Sequence, residues 1–324
     1  GLGDVYKRQG GGASSNYKKT WEERNKWIEQ NINKTFFKSF LELEAFRETG
    51  LGNLVPLLNK THKFKKRIRK IIQMLSDIRI LVTNDDGIDS IGLRVLVEKL
   101  KVLTNHILVV APSKQMSATS HKITLHEGIL LKKEEDVFKD VVAYSISGTP
   151  VDCVNMAIHL LKFKPNVIFS GVNNGLNVGT DIMYSATVAS ACEGINYNIL
   201  GIAISCDVDH LEGMKYFDDI ICYIRRTKIY KQAKVLNINI PKVAHHIQIT
   251  HQGVFPFQIS YIQKEDGLYY MHSVPLANTI DNDRNSDVYA INHNTISITP
   301  LTNNQTDVKL YEKWQKINLS LIHI

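Results

Sequence analysis

The hydrophobic pattern of the chain becomes regular near residue 78. From there, short apolar runs rich in β-branched residues alternate with segments whose apolar residues recur at helical spacing. The predicted strands are 79–84, 106–111, 166–170, 201–205 and 235–240, and the predicted helices are 92–103, 152–162, 185–196 and about 212–226. Continuous apolar strands joined by helices form βαβ units. The pattern therefore predicts an α/β fold, a three-layer doubly wound (Rossmann-like) structure with a mostly parallel sheet.

Beyond Pro241 the period falls to two, which is typical of half-buried strands. The alternating segments are HHIQITHQG, SYIQKEDGLYYMHSV and DVYAINHNTISITPL, and the Glu265-Asp266-Gly267 turn predicts a hairpin in the second. We expect a C-terminal β-rich arm at about 242–301, followed by a helix near 307–317. The predicted organisation is a domain over 76–324 that includes this arm.

The positive charge of the chain is concentrated in its first 75 residues. The net charge is +7, but residues 1–75 hold 16 Lys and Arg against 7 Asp and Glu, whereas the remainder holds 23 against 25. With helical patterns at 21–49 and 62–75, this segment is predicted to be a basic extension, partly helical or disordered. It lacks interleaved aromatic and glycine motifs, so a solvated basic helix is favoured over nucleic-acid binding. GLGDVYKRQ at its start, and LSLIHI at the far end, resemble translated sequencing-adapter sequence, so the extension is a candidate non-native segment.

Composition limits the class of protein. Hydrophobic residues make up 44% and charged residues 22% of the 324 residues, which excludes a disordered or collagen-like chain. No window approaches the roughly 18 apolar residues of a membrane span. The four cysteines include no C-x-x-C pair, which argues against a zinc site or a disulfide framework. We therefore predict a cytoplasmic protein without a membrane partner.

The first predicted strand ends in Asn84-Asp85-Asp86-Gly87, which is a candidate binding or catalytic site. Ligands of open parallel sheets bind beyond the carboxyl ends of the strands. Two acids and an amide at a turn form an oxygen-rich set suited to Mg²⁺ or Mn²⁺. The plain alternative is that Asp85 caps a helix and Asp86 is a solvated turn residue, and on these residues alone that alternative is favoured.

Two further strand ends and one helix start carry polar residues. A loop of small hydroxyl residues at 113–121 includes Ser117, and Lys114 or His121 could meet an anion. The segment 170–181 combines three glycines with three asparagines, which allows close approach of backbone N–H groups to a ligand. Ser147-Gly148-Thr149 opens a helix, whose N-terminus favours phosphate, although a simple helix cap explains these residues as well. Each signal is weak alone.

Together these segments resemble the survival protein SurE family, whose members are metal-dependent nucleotidases also described as acid phosphatases. The resemblance covers about 78–301, with the motifs in family order. Ser113 stands where an Asp is common in the family, and Ala186 where a Gly is usual. The matching segments are ILVTNDDGI at 80–88, VVAP at 109–112, SATSHKITLH at 117–126, SGTPVDCV at 147–154, SGVNNGLNVGTDIMYSATVASACEG at 170–194, IAIS at 202–205, DNDRNSDVYAI at 281–291 and ISITPL at 296–301.

The resemblance implies a hydrolase of phosphate monoesters with one divalent cation, Mg²⁺ or Mn²⁺, per subunit. The expected substrates are nucleoside 5′-monophosphates, with 3′-monophosphates as a further candidate, and the expected assembly is a homodimer or homotetramer with the arms at the contact. Asp85 and Asp86 are the expected catalytic residues. The implied metal ligands are Asp85, Asp86, Ser117 and Asn173, and the implied substrate-binding residues are Asn84, Gly148, Thr149, Asn177, Ser185 and Thr187.

Two other functions stay open at this point. In one, an aspartate is itself phosphorylated, but such phosphatases usually separate their acids as D-x-D, whereas Asp85 and Asp86 are adjacent. In the other, the same fold is a non-catalytic nucleotide or metal-ion sensor, since a fold alone does not determine activity.

Overall fold

The fold is described from a computed structural model, which covers residues 78–209, 211–254, 257–275, 281–315 and 317. The predictions for residues 1–75 lie outside this part of the chain. Within it, no helix is long and apolar enough to cross a membrane. All four cysteines are free thiols.

The described strands form a main sheet of nine and a separate pair. In chain order the strands are β1 (Ile80–Thr83), β2 (Ile107–Pro112), β3 (Leu131–Glu134), β4 (Val142–Ile146), β5 (Val167–Asn174), β6 (Leu200–Cys206), β7 (Val235–Ile240), β8 (His246–Ile249), β9 (Phe257–Gln263), β10 (Tyr269–Pro275) and β11 (Thr295–Leu301).

The spatial order in the main sheet is β3-β4-β2-β1-β5-β6-β7-β11-β8. The six central strands, from β4 to β7, run parallel, while β3 and β11 pair antiparallel with β4 and β7. From β1 the chain moves towards β2 and β4, then returns to place β5 on the other side of β1. The carboxyl ends of β1 and β5 therefore flank the switch point of the topology, which is where open α/β sheets bind ligands.

The helices connect the strands and cover both faces of the sheet. They are α1 (Ile91–Leu100), α2 (Pro150–His159), α3 (Ala186–Glu193), α4 (Phe217–Thr227), α5 (Asp287–Asn292) and α6 (Val308–Gln315). Successive strand side chains point to opposite faces. Accordingly Ile80 and Val82 of β1 pack in the cluster that contains α1 and α4, whereas Leu81 packs against α2. This arrangement confirms the three-layer doubly wound fold.

The region after Pro241 differs from one continuous β-rich arm. Among the described residues after Pro241, only β9 and β10 form a separate antiparallel hairpin, which turns at the predicted Glu265-Asp266-Gly267. β8 and β11 belong to the main sheet, and Asp287–Asn292 is helical. The side chain of Ser286 accepts a hydrogen bond from the Tyr289 amide and so starts α5, a local signal that the period-two pattern concealed.

β3 and β4 were not predicted from the sequence. β3 lies at the sheet edge with two of its four residues exposed, and the first residue of β4, Val142, is also exposed. Neither strand therefore has the continuous apolar run that marks β1, β2, β5, β6 and β7.

Candidate metal centre

The turn after β1 is shaped by Asn84. Its amide nitrogen donates to the Gly87 carbonyl at 2.9 Å and to the Ser90 hydroxyl at 2.7 Å. Gly87 has φ +98°, a conformation that favours glycine. Ser90 caps α1 by accepting from the Leu93 amide. Asn84 thus fixes the turn that carries Asp85 and Asp86 to the edge of the sheet.

Asp85 is a buried carboxylate, with 4% of its surface exposed. The hydroxyl of Thr187, at the start of α3, donates to its Oδ1 at 2.5 Å. Burial and the neighbouring charge of Asp86 raise the pKa of Asp85 to about 7, although the hydrogen bond from Thr187 acts in the opposite direction. A positive charge beside this carboxylate would offset the unfavourable burial of its charged form.

Asp86 is half-buried and lies between the loop after β2 and the end of β5. The side-chain amide of Gln115 donates to its Oδ1 at 3.3 Å and to the Ser117 hydroxyl at 2.9 Å. The backbone amide of Asn174, at the end of β5, approaches its Oδ2 at 3.4 Å. The loop after β2 is also tied to the turn by a hydrogen bond from the Met116 amide to the Asp85 carbonyl, at 2.7 Å. The structure thus brings Asp85, Asp86 and Ser117 together.

Asn173 lies next to Asn174 near the end of β5, where the pairing with β6 is irregular between Gly171 and Asn173. A side chain at Gly171 would place its Cβ 2.3 Å from the Ile204 carbonyl, so the close approach of the strands requires glycine. The amide nitrogen of Asn173 donates to the Gly175 carbonyl at 2.7 Å. Because its nitrogen is engaged, its oxygen is the atom that can bind a cation.

Gly148 and Thr149 lie at the N-terminus of α2, where Thr149 and Asp152 form a reciprocal capping box. The Thr149 hydroxyl also donates to the Lys122 carbonyl, and Thr124 donates to Asp152 at 2.6 Å. These contacts fasten the long loop after β2 to α2. The Thr149 side chain is therefore engaged within the fold, as the helix-cap alternative predicts.

Asn177 is buried in a network of amide side chains. Its backbone amide donates to Asn239, and its side chain donates to Ser205 at 2.8 Å. The amide groups of Asn237 and Asn239 both donate to its carbonyl. Ser185 is likewise used locally, since its hydroxyl accepts from the Val188 amide and caps α3. Both side chains are therefore hydrogen-bonded within the fold.

The donors that the structure brings together suit a hard divalent cation. Carboxylate, hydroxyl and amide oxygens are typical ligands of Mg²⁺ and Mn²⁺. The side-chain oxygen of Asn84 is buried without a hydrogen-bond partner among the described residues, and it lies on the same turn as both aspartates. Among the residues that the structure describes, no cluster of three or more His, Cys, Asp or Glu side chains is suited to a metal. A site here would therefore combine two carboxylates with neutral oxygen donors.

Comparison with known proteins identifies the family. The family model described as "Survival protein SurE" matches residues 80–258, more than half of the chain. The chain belongs to the SurE family. The protein named 5′-nucleotidase SurE from Alkaliphilus metalliredigens is 34% identical over 75% of this chain and 99% of its own length. The protein of that name from Caldanaerobacter subterraneus subsp. tengcongensis is 38% identical over 72% of this chain and 95% of its own length.

A solved SurE structure has the same fold. The crystal structure of the SurE protein from Aquifex aeolicus aligns with a TM-score of 0.62 at 29% identity, covering 74% of this chain and 99% of that one. The family resemblance of the sequence is thereby confirmed. All the candidate site residues of this SurE chain lie inside the matched range, between Asn84 and Thr187.

Two contacts of this SurE site were missed from the sequence. Gln115 joins Asp86 to Ser117, and the backbone of Asn174 contacts Asp86 from the opposite side. A signal for Gln115 existed, because it lies two residues before Ser117 in the polar loop. No sequence signal specifies a backbone amide, since every residue type except proline has one.

Proposed function

We propose that this SurE family member is a metal-dependent 5′-nucleotidase that hydrolyses nucleoside 5′-monophosphates to nucleoside and phosphate. The names of its relatives support the reaction. The observation that carries the proposal for this chain is the convergence on Asp86. The loop that bears Ser117 and the strand end that bears Asn173 both approach this carboxylate, at the switch point of a doubly wound sheet.

The proposed metal ligands are Asp85, Asp86, Ser117 and Asn173. They come from the turn after β1, the loop after β2 and the end of β5, and these three strands are neighbours in the sheet. Two carboxylates supply two negative charges, while the hydroxyl and amide oxygens add neutral donors without further charge repulsion. This set suits Mg²⁺ and Mn²⁺ alike, and we propose one such cation per subunit.

In the proposed mechanism, Asp85, Asp86, Ser117 and Asn173 would hold the cation, which would supply positive charge for the phosphoryl oxygens and lower the pKa of the attacking water. Asp85 is buried away from solvent, so its proposed role is to hold the cation in a fixed position through its negative charge. Asp86 is half-exposed and can accept the proton of the attacking water and pass it to solvent. Either role requires the turn that Asn84 holds in place.

Phosphate binding is proposed at the helix N-termini beside the centre. Gly148 and Thr149 start α2, and Ser185 starts α3, where the helix dipole favours an anion. The side chains of Thr149, Asn177 and Ser185 are hydrogen-bonded within the fold, so their contribution is to shape the backbone around the phosphate.

A screen of phosphate release tests the proposal. Nucleoside 5′-monophosphates, 3′-monophosphates, polyphosphate and glycerol phosphate are each incubated with Mg²⁺, Mn²⁺, Ca²⁺ or EDTA. We expect release from 5′-monophosphates with Mg²⁺ or Mn²⁺ and loss of release with EDTA; activity on 3′-monophosphates would widen the substrate class. Nucleotide binding without turnover would favour a sensor, and a phosphorylated Asp85 trapped after acid quench would favour the phospho-aspartate route.

We also propose that the protein is a homodimer or homotetramer through its hairpin. Ile259, Tyr261 and Tyr269 share one face of the β9–β10 pair, and each is more than half exposed. A two-stranded hairpin is marginally stable alone in water. A second copy that covers this face would bury the apolar side chains.

The free cysteines are consistent with the predicted cytoplasmic location.

A further inference from the structure

Thr187 and Asp85 meet across the boundary between α3 and the turn after β1. The Thr187 hydroxyl donates to Asp85 Oδ1 at 2.5 Å. Thr187 is fully buried and Asp85 almost so. Hydrogen bonds to a carboxylate are stronger than bonds between neutral groups, and burial protects them from competing water.

Thr187 has little freedom to move away from Asp85. It lies in the first turn of α3, behind the Ser185 cap. α3 is fastened to β5 by a hydrogen bond between the hydroxyls of Ser190 and Ser170, at 2.8 Å. As a β-branched residue, Thr187 also has a restricted χ1 angle. The donor is therefore presented to Asp85 by a docked helix.

The resemblance to the family assigned Thr187 to the substrate, but the geometry favours a different role. A threonine hydroxyl has one proton, and here that proton is given to Asp85. Phosphate oxygens are acceptors and need a donor. While the bond to Asp85 persists, the Thr187 hydroxyl cannot donate to a phosphate.

We propose that Thr187 is a positioning residue that holds Asp85 in the orientation required for binding the divalent cation. This inference rests on the proposed function, because it requires Asp85 to be a metal ligand. A carboxylate offers about four lone-pair sites, so the hydrogen bond from Thr187 leaves sites for a cation. Partners of metal-ligating groups restrict those groups to productive orientations, and their loss commonly weakens metal binding about 10- to 100-fold.

The test compares Thr187→Val, which has a similar shape but no hydroxyl, with Thr187→Ser, which keeps the hydroxyl. Ser170→Ala is the matched control, because it also removes a buried hydroxyl contact of α3 but does not touch Asp85. Mn²⁺ binding is measured by electron paramagnetic resonance without nucleotide. The KM for a nucleoside 5′-monophosphate is measured at saturating Mn²⁺, and thermal unfolding in EDTA reports folding.

We expect Thr187→Val to weaken Mn²⁺ binding about 10- to 100-fold, while Thr187→Ser and Ser170→Ala stay near wild type. The KM for nucleotide at saturating Mn²⁺ should change little in all three. Thr187→Ala, which also lacks the hydroxyl, replaces Thr187→Val if the latter does not fold, with the same expected loss.

Three outcomes would overturn the inference. Unchanged Mn²⁺ binding with a raised nucleotide KM in Thr187→Val would make Thr187 a substrate ligand. Equal losses in Thr187→Val and Thr187→Ser, or in Thr187→Val and Ser170→Ala, would reveal a general packing effect. Wild-type Mn²⁺ binding and KM in Thr187→Val would leave the hydroxyl without a role. If the wild-type protein itself neither binds Mn²⁺ nor releases phosphate, the proposed function fails instead.

Discussion

Asp85 and Asp86 are adjacent in the chain but lie in different surroundings. Asp85 is buried and held by α3, whereas Asp86 is half-exposed and held by the Gln115 amide and the Asn174 backbone. The sequence predicted that both acids project from a strand end, because the topology rule applies to any parallel strand. It did not predict which acid is buried, since that depends on the docking of α3, about 100 residues later.

The binding of a cation should be linked to proton release, since burial and Asp86 raise the pKa of Asp85 to about 7 in the cation-free protein. Below that pH Asp85 holds a proton that a cation has to displace. We expect Mn²⁺ affinity to rise about tenfold per pH unit up to pH 7 and to level off above it. Calorimetry in two buffers of different ionisation enthalpy measures the released proton. A pH-independent affinity without proton release would contradict this expectation.

Gln115 should stabilise the cation site from the loop after β2, because it donates to both Asp86 and Ser117. Gln115→Leu removes both hydrogen bonds with little change in size. Since Gln115 is exposed, we expect a loss of Mn²⁺ affinity near the lower end of the usual range, about tenfold. Ser113→Ala in the same exposed loop is the control and should bind as wild type. Equal affinity in the two variants would show that the Gln115 bonds do not support the site.

At the scale of elements, the strands β1, β2, β5, β6 and β7 and the helices α1 to α4 were predictable because apolar periodicity reflects burial. The exceptions have physical reasons. α5 begins at a Ser286 cap inside a period-two segment, and β3 lies at an exposed edge. The close packing of α3 against β6 was not predicted from the sequence, although it depends on a glycine in β6. Gly201 packs against the Ala191 carbonyl, where an added Cβ would lie at 2.1 Å.

Gly201→Ala should therefore destabilise the protein by forcing α3 away from the sheet. We expect a loss of about 1–3 kcal/mol in the free energy of unfolding, the usual cost of overfilling a packed interior. Gly128→Ala is the matched control, since an added Cβ there meets no atom within 4 Å, and its effect should stay within about 0.5 kcal/mol. Chemical denaturation of both variants measures the difference. Equal stability of the two would show that the contact between α3 and β6 yields at little cost.

At the scale of the whole molecule, a hairpin with exposed apolar residues extends beyond a complete sheet. The sequence predicted this hairpin from its turn, but it assigned β8 and β11 to the same arm. Their pairing partners in the main sheet are non-local, and local periodicity carries no information about such partners. Within residues 242–301, the local turn was predictable from the sequence and the long-range strand pairing was not.

Assembly through the hairpin can be tested by introducing charged residues on its exposed apolar face. Tyr261→Lys combined with Tyr269→Lys places two cations on the exposed apolar face, so we expect light scattering to show a lower mass than the wild-type dimer or tetramer. Leu160→Lys is the control, since Leu160 is another exposed apolar residue and follows α2. A monomeric wild-type protein at micromolar concentration, or an unchanged mass in the double variant, would contradict hairpin-mediated assembly.

The central claim is that Asp85 and Asp86 hold a divalent cation that is required for phosphate release. The most direct measurement is Mn²⁺ binding and release of phosphate from a nucleoside 5′-monophosphate by Asp85→Asn and Asp86→Asn, with Ser117→Ala beside them. Each Asn variant loses a negative charge at constant size, so we expect turnover to fall more than about 100-fold while the fold is retained. Ser117→Ala, which removes a neutral donor, should lose less. Near-normal binding and turnover in both Asn variants would contradict the account.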